Sequence, residues 1–417
     1  MKKRIIVLLI STLLFAAMVC CRSKAGPDPT ENASANESEP KRILENPLVI
    51  MNESGAKIGE IDHQAGITAV DDGIFYSVFN VDANSHTGPA EYRFFNLKDK
   101  TDVLLGNLEG QGYEAGFTRT ELNGVVYTLA VKGDPYKEAV PLLLLAFDTA
   151  NRTMKTYTVS EDGFPYTAMA TIDGKLLIMN HETVNDRIDK IYEFDPSTEK
   201  IREVLAFPST ADSLRSICAA DHGFYLLRLK LNVDSENEMY IDRYDENYQK
   251  TSELPVGDIL VNAITTIHGI LNRQDAWNEI GMNVSHFSVI DDRYMVYENF
   301  GLSRVIIDLQ TKETLLAKDD NYSISMGNGA PVMYRVDYVA DPTSEPEIFS
   351  LEDGKIRQSS FVPDKDHTLV QVVTTSANGT HAILTSDIFP VQNGTGVILI
   401  RSVNPICHPT AGWKCVK

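Results

Sequence analysis

The chain has 417 residues, 43% hydrophobic and 23% charged, which is enough apolar matter for a large buried core and excludes disorder as the state of the whole chain. Its 58 acidic residues against 38 basic ones give a formal charge of −20. A surface this negative repels nucleic acid phosphate and gains nothing from anionic lipid headgroups, so nucleic acid is not expected among its partners.

The first element is an apolar run from Ile5 to Val19, broken only by Ser11 and Thr12 and preceded by Lys2, Lys3 and Arg4. It is short for a membrane-spanning helix and has the layout of an export signal. Cys20 and Cys21 end it. The segment resembles a bacterial lipoprotein signal, which implies that one of these two cysteines is lipidated and becomes the new N-terminus. The approach through Ala17, Met18 and Val19 departs from the Leu-Ala-Gly-like pattern of such signals, and cleavage after Ala25 or an uncleaved anchor are the alternatives. The expected division is a signal peptide over 1–20 and a disordered tether over 21–45. The tether has alanine as its one apolar residue type from Arg22 to Arg42 and is rich in Pro, Asn, Ser and Glu, so it has too little surface to bury. The expected location is extracytoplasmic, on the cell membrane through the lipidated cysteine, where loss of three N-terminal cations takes the formal charge to about −23.

From residue 46 onward two hairpin patterns alternate. In one, a strand of small residues meets a tight turn and continues as a β-prone run, as in ITAVDDGIFYSVF, TELNGVVYTLAV, MATIDGKLLIMN and ICAADHGFYLLRL. Such DG and NG turns are strong hairpin signals because primed turns need positive φ. Seven of these turns fall near residues 72, 124, 174, 222, 292, 329 and 379, a beat of about fifty residues. In the other pattern an apolar strand turns through Asx, Ser, Gly or Lys into a more polar one, as in LAFDTANRTMKTY and IYEFDPSTEKIREV. Asn96, Asp148, Asp195, Asp245, Asp308 and Ser350 are expected at corresponding turn positions, since Asx side chains bond the local backbone.

Two hairpins per period make a four-stranded antiparallel sheet, and repetition of such sheets is the signature of a β-propeller. The expected fold is therefore all-β, a single β-propeller over 46–406 with seven four-stranded blades, six or eight being the alternatives. The last blade is expected to be completed from PLVIMNESGAKIGEI at the N-terminus, which removes a free edge. Residues 257–286 lengthen one interval and read as a loop excursion or a degenerate pair of strands. The YEFDPSTEKI hairpin resembles those of kelch-like and TolB-like blades, and the chain is similar to exported bacterial lipoproteins carrying a degenerate propeller. That resemblance implies a fold and an address and no activity.

The C-terminal tail, 407–417, holds Cys407 and Cys415 in ICHPTAGWKC, expected to form a disulfide in an exported protein. Two thiols with His408 and no second cluster make a poor zinc pattern, so no metal site is expected. Cys218, in an apolar strand context, reads as a buried small hydrophobe.

No nucleophile elbow, Walker loop, dinucleotide fingerprint or paired-histidine metal helix is present, and no cofactor or catalytic residue is assigned. The nine histidines are spread along the chain and read as surface or turn residues; His222 sits in the turn DHG. NVDANSHTG and NVDSENE are oxygen-rich but lack calcium-loop spacing. These loops and KGDPYKEAVP, NHETVNDRIDK and DYVADPTSEPE occupy equivalent places between paired hairpins. The acidic face they would line, carrying His86, Tyr136, His181, Asp186 and Tyr338, is the candidate binding surface for a protein, glycan or peptide. A binding module is the leading functional expectation, with a hydrolase or lyase assembled from several blades as the alternative.

Overall fold

A computed structural model describes residues 47–51, 56–62, 65–70, 72–79, 89–108, 111–134, 138–165, 167–182, 188–208, 212–230, 238–269, 273–280, 284–299, 303–327, 330–335, 347–360, 370–375, 381–386 and 396–402. The expected signal, tether and C-terminal tail lie outside these residues. The described strands fall into seven sheets.

The chain opens with a hairpin, β1 (Pro47–Met51) and β2 (Lys57–Asp62). The first sheet follows as β3 (Ala65–Val70), β4 (Gly73–Phe79), β5 (Pro89–Asn96) and β6 (Asp102–Asn107), and the second as β7 (Tyr113–Leu122), β8 (Val125–Lys132), β9 (Leu142–Asp148) and β10 (Thr153–Ser160). The third is β11 (Met169–Ile172), β12 (Lys175–His181), β13 (Ile188–Asp195) and β14 (Lys200–Pro208); the fourth is β15 (Asp212–Ala220), β16 (Gly223–Lys230), β17 (Glu238–Tyr244) and β18 (Lys250–Pro255). Two helices, α1 (Gly257–His268) and α2 (Arg273–Glu279), come next. The fifth sheet is β19 (Val284–Ile290), β20 (Tyr294–Asn299), β21 (Ser303–Asp308) and β22 (Glu313–Lys318), and the sixth is β23 (Tyr322–Gly327), β24 (Ala330–Arg335), β25 (Glu347–Glu352) and β26 (Lys355–Ser360). The seventh begins with β27 (Val370–Thr375), β28 (His381–Ser386) and β29 (Gly396–Ser402).

Each of the first six sheets is a four-stranded antiparallel meander in chain order. Their first strands are innermost: β7 touches β3 and β11, β15 touches β11 and β19, and β27 touches β23 and β3, while the fifth and sixth sheets meet through β21 and β23. Successive sheets are thus in contact around a closed ring, the arrangement of a β-propeller. The burial gradient follows. Middle strands such as β9, β16, β20 and β21 are buried along most of their length on both faces, whereas the outer β10 and β18 are largely exposed.

The seventh sheet corrects the expectation of uniform four-stranded blades. It has five strands in the order β2-β1-β29-β28-β27, because the N-terminal hairpin contributes both of its strands. Strand β1 runs parallel to β29, with Leu48 opposite Gly396 and Met51 opposite Leu399. Strand β2 leads into β3 as every other outer strand leads into the next sheet, so it runs in the usual outer-strand direction, and β1, antiparallel to it, runs the same way as β29.

The core is divided into wedges between consecutive sheets. Phe75 and Tyr92 meet Phe147 between the first and second, with Tyr92 and Phe147 centroids 4.4 Å apart. Leu129 and Leu144 meet Ile178 and Phe194 between the second and third, and Ile191 meets Leu226 between the third and fourth. Ile50 and Ile61 of the N-terminal hairpin meet Ile74 and Tyr76 of the first sheet. Each fully buried side chain of this size contributes about 1.5–3 kcal/mol.

The turns follow two rules. Asn123-Gly124 and Asp173-Gly174 hold positive φ at both positions, as a two-residue primed turn requires. Gly73 and Gly223 take equivalent places at the start of the second strand, where a Cβ would lie 2.1 Å from the carbonyl oxygens of Phe95 and Tyr244. In the outer hairpins the carboxylate or amide of Asn96, Asp148, Asp195, Asp245 and Asp308 accepts main-chain N–H groups two to four residues on, at 2.8–2.9 Å. In the sixth sheet the corresponding residue is Glu352, opposite Lys355, and Ser350 sits two residues earlier within β25. The shorter Asp353-Gly354 turn accounts for the shift, because it closes the hairpin with two residues.

Residues 257–268 and 273–279 are helical, correcting the expectation of a loop or strand pair. Leu260, Val261 and Ile264 of α1 and Ala276 and Trp277 of α2 pack with Met239 and Ile241 of the fourth sheet and Tyr297 and Ile307 of the fifth. The Tyr297 hydroxyl donates to the Ile280 carbonyl, which pins the end of this wedge. Gly257 leaves room for the Trp277 ring, 2.2 Å from where a Cβ would stand.

Candidate functional site

The alternation of strand direction divides the ring into two ends. One bears the short turns within the inner and outer hairpins, and the other receives the second-to-third-strand connections and the links from sheet to sheet. His181 ends β12 at the second of these, directly opposite Asp189 of β13. Asp189 is 3% exposed, and its Oδ1 lies 2.6 Å from Nδ1 of His181 while its Oδ2 accepts the main-chain N–H of Leu214 in the fourth sheet, also at 2.6 Å. Nδ1 is thus the ring nitrogen engaged by the carboxylate, and Nε2 lies on the far side of the ring from it. That Nε2 has no hydrogen-bond partner among the described residues, and the side chain is 29% exposed.

The pair is held by its surroundings. Asn180, fully buried beside His181, donates to the Asp162 carbonyl at 2.9 Å and accepts from Phe164 N–H at 3.4 Å, which fixes the link between the second and third sheets. Lys190 lies 2.7 Å from Glu182 and 3.3 Å from Glu203. The hydrogen bond to Glu182 outweighs partial desolvation and holds the ammonium pKa above its usual range.

At this end described carboxylates are paired with basic side chains, among them Glu182 with Lys190, Asp189 with His181, Glu238 with Lys230 at 3.5 Å, and Glu298 with Arg304 at 2.9 Å. Burial raises the pKa of Glu298 even against the pull of Arg304. The acidity expected of this face is therefore partly neutralised where it is described. A partner read by shape and hydrogen bonding fits these paired groups better than one held by charge alone.

Of the expected face residues, His181 is described and is the one found with a built partner. His86, Tyr136, Asp186 and Tyr338 lie outside the described residues, as do Cys20, Cys21, Cys407 and Cys415. Asp189, which orients His181, stands three residues beyond Asp186 in the same stretch, and its signal was the strand phase that puts it opposite His181. Cys218 is buried, as expected, and burial pushes its thiol pKa up to about 12.

Two further residues were not singled out by the sequence. Arg119 of β7 lies between the first and second sheets, donating to Ser77 Oγ at 2.7 Å with its guanidinium 5.4 Å from the Phe75 ring centroid and 5.9 Å from that of Tyr92. Burial lowers its pKa. His286, on the innermost strand β19, has Nε2 3.1 Å from Ser288 Oγ, and burial pushes its pKa down to about 4. It departs from the turn and surface role expected of the histidines, which His222 does fill with its side chain 81% exposed.

At the turn end, a cavity of about 50 Å³ lies between the third and fourth sheets beside Lys175, Glu193, Asp245 and Tyr248. Ligand pockets start at roughly 300 Å³, so this one is a water-sized gap. Burial works against ionisation of Glu193, but hydrogen bonds from Arg202, Tyr248 and Lys175 outweigh it and hold its pKa at about 2. The cluster is a closed tie between sheets. Among the described residues no group of three His, Cys, Asp or Glu side chains is placed to hold a metal ion.

No protein-family model and no curated protein matches the chain. Among solved structures, the WD40 β-propeller domain of Doa1 is 12% identical with a TM-score of 0.42, over 83% of this chain and 91% of that one. An oligogalacturonate lyase in complex with manganese is 14% identical with a TM-score of 0.42, covering 75% and 83%. The oligogalacturonate lyase of Vibrio parahaemolyticus is 14% identical with a TM-score of 0.42, covering 86% and 89%. The ring drawn by the chain's own sheets is the ground for the fold, and these likenesses carry nothing about activity.

Proposed function

We propose that the chain is a seven-bladed propeller tethered to the outer side of a cell membrane by a lipidated Cys20 or Cys21, acting as a binding module for a protein, glycan or peptide at the cell envelope. The single observation that carries the binding reading is His181, whose imidazole is set by buried Asp189 so that Nε2 lies on the far side from that carboxylate, at the end of the propeller where the connections vary most between sheets. A fixed imidazole nitrogen beside balanced ion pairs suits recognition of hydroxyl or amide groups. The address rests on the N-terminal sequence, with its basic start, apolar run, paired cysteines and polar tether.

A second reading is favoured by the same pair. An imidazole whose Nδ1 is held by a buried carboxylate is also suited to act as a general base, so an extracytoplasmic hydrolase or lyase using His181 is the alternative. The test is a thermal-shift screen of residues 41–417 against oligosaccharides and peptides, repeated with His181→Ala. A ligand that raises the unfolding midpoint of the parent and not of the variant supports binding at this face. Turnover of that ligand, lost in the variant, selects the second reading, and equal shifts in both proteins overturn the site. Labelling with radioactive palmitate, with Cys20→Ala and Cys21→Ala variants, tests the anchor, and a parent protein that takes up no label sinks it.

A further inference from the structure

The outer strands of six sheets share a device. Against its inner neighbour each carries one extra, bulged residue: Ile58 in β2, Leu105 in β6, Val159 in β10, Val204 in β14, Thr251 in β18 and Leu315 in β22. A bulge twists the strand and breaks the even row of outward N–H and C=O groups, so it protects a sheet edge from pairing with another chain. Strand β26 lacks it over its described residues, Lys355–Ser360. Its six residues pair with β25 without a register shift, from Glu347 opposite Ser360 to Glu352 opposite Lys355.

The phase of that edge follows from its turn. Asp353 and Gly354 both have positive φ, 50° and 72°, so the hairpin closes with a two-residue primed turn whose flanking pair, Glu352 and Lys355, is hydrogen-bonded. Pairing alternates from there. Lys355 and Arg357 direct their main-chain groups toward β25, and Ile356 and Gln358 direct theirs outward. The charge of the strand is also distinct: KIRQSS has two cations and no carboxylate, and no other outer strand combines these, on a chain whose formal charge is −20. Lys355, Arg357 and Gln358 are exposed. Arg357 Nε donates to Glu352 at 3.1 Å with 60% of its side chain exposed, leaving the rest of its fork available.

We propose that β26 is a docking edge for an extended acidic segment of a partner protein, which adds as a fifth strand to the sixth sheet. Main-chain bonds to Ile356 and Gln358 supply the pairing, and carboxylates on alternate residues of the segment meet Lys355 and Arg357, which share one face. A second copy of this chain is the poorer occupant, since joining two β26 edges sets cations against cations and brings two strongly negative bodies together.

The probe is an acetylated, amidated hexapeptide alternating glutamate and valine, with an alternating lysine–valine peptide as control, added to the full chain. Hydrogen exchange is followed by mass spectrometry over 352–360. The expected result is at least tenfold slower exchange in this segment with the glutamate peptide, none with the lysine peptide, and none over β10 or β18. Gln358→Pro removes an outward N–H without touching the β25 ladder, so it is expected to abolish protection while leaving the unfolding midpoint within a few degrees. The double variant Lys355→Glu, Arg357→Glu is expected to reverse the preference between the two peptides. Absence of protection at millimolar glutamate peptide overturns the proposal, as does protection unchanged in Gln358→Pro, and the cations of β26 would then serve only to keep the edge solvated.

Discussion

Asp242 is 1% exposed and sits in a knot with Arg228, whose Nε lies 2.9 Å away, while Lys250 approaches at 3.0 Å. Removing Asp242 leaves buried Arg228 with only the half-exposed carboxylate of Glu253, 2.8 Å away, so Asp242→Ala is expected to lower stability by about 3 kcal/mol, read by urea unfolding. His286 gives the chain an acid sensitivity of defined sign. Its folded pKa, about 4, lies below the ordinary imidazole value of about 6.5, so its contribution is intact above pH ~6.5 and is lost as pH falls toward 4. Glu193, held at about 2, adds a second loss from pH ~4.3 downward, whereas Glu298, raised by burial, contributes below its unfolded pKa and loses that contribution as pH rises. The unfolding midpoint is expected to fall between pH 6.5 and 4, and His286→Gln is expected to flatten that stretch of the curve. At this scale the sequence exposes turn chemistry well. It hides partnerships: His181 could be named from its loop, but Asp189 looks like any carboxylate of NHETVNDRIDK until strand phase sets it opposite.

At the scale of elements the hairpins were legible because their signals are local. Each inner turn and each Asx-closed outer turn is specified by residues within five positions of one another, and positive φ at Asn123, Asp173 and Gly174 is a property of those residue types. The helical wedge was missed because ILVNAITTI is apolar enough for a strand, and β-branched residues blur the period. Its caps carry the better signal, with Asp258 in the first turn and Gly269 as a left-handed C-cap whose N–H bonds the Thr265 carbonyl. Trp277→Ala empties a site enclosed by both sheets and is expected to cost about 3–5 kcal/mol, measured by chemical unfolding. Gly223→Ala is expected to cost about 1–3 kcal/mol in the same assay, since its methyl would collide with the Tyr244 carbonyl.

For the whole molecule the decisive junction is the seventh sheet. Its β1–β29 pairing joins the two ends of the described chain, and Ile50 and Ile61 then fill the wedge against the first sheet. A chain starting at residue 65 loses both strands, bares the edge of β29 and uncovers Ile74 and Tyr76, so it is expected to aggregate or to unfold at a markedly lower temperature. A chain starting at 47 keeps the ring, and differential scanning calorimetry of the two distinguishes them. The sequence by itself determined the fold class, the alternation of two hairpins and the use of the N-terminus to finish the last sheet, because period, turn residues and burial gradient are written locally. Only the tertiary structure decided that this sheet has five strands, that β1 runs parallel to β29, that His181 rests on Asp189 and that, among the described residues, β26 alone of the outer strands lacks a bulge. These depend on direction, register and cross-sheet neighbours, which are settled when distant segments meet and leave no mark within any one stretch of the chain.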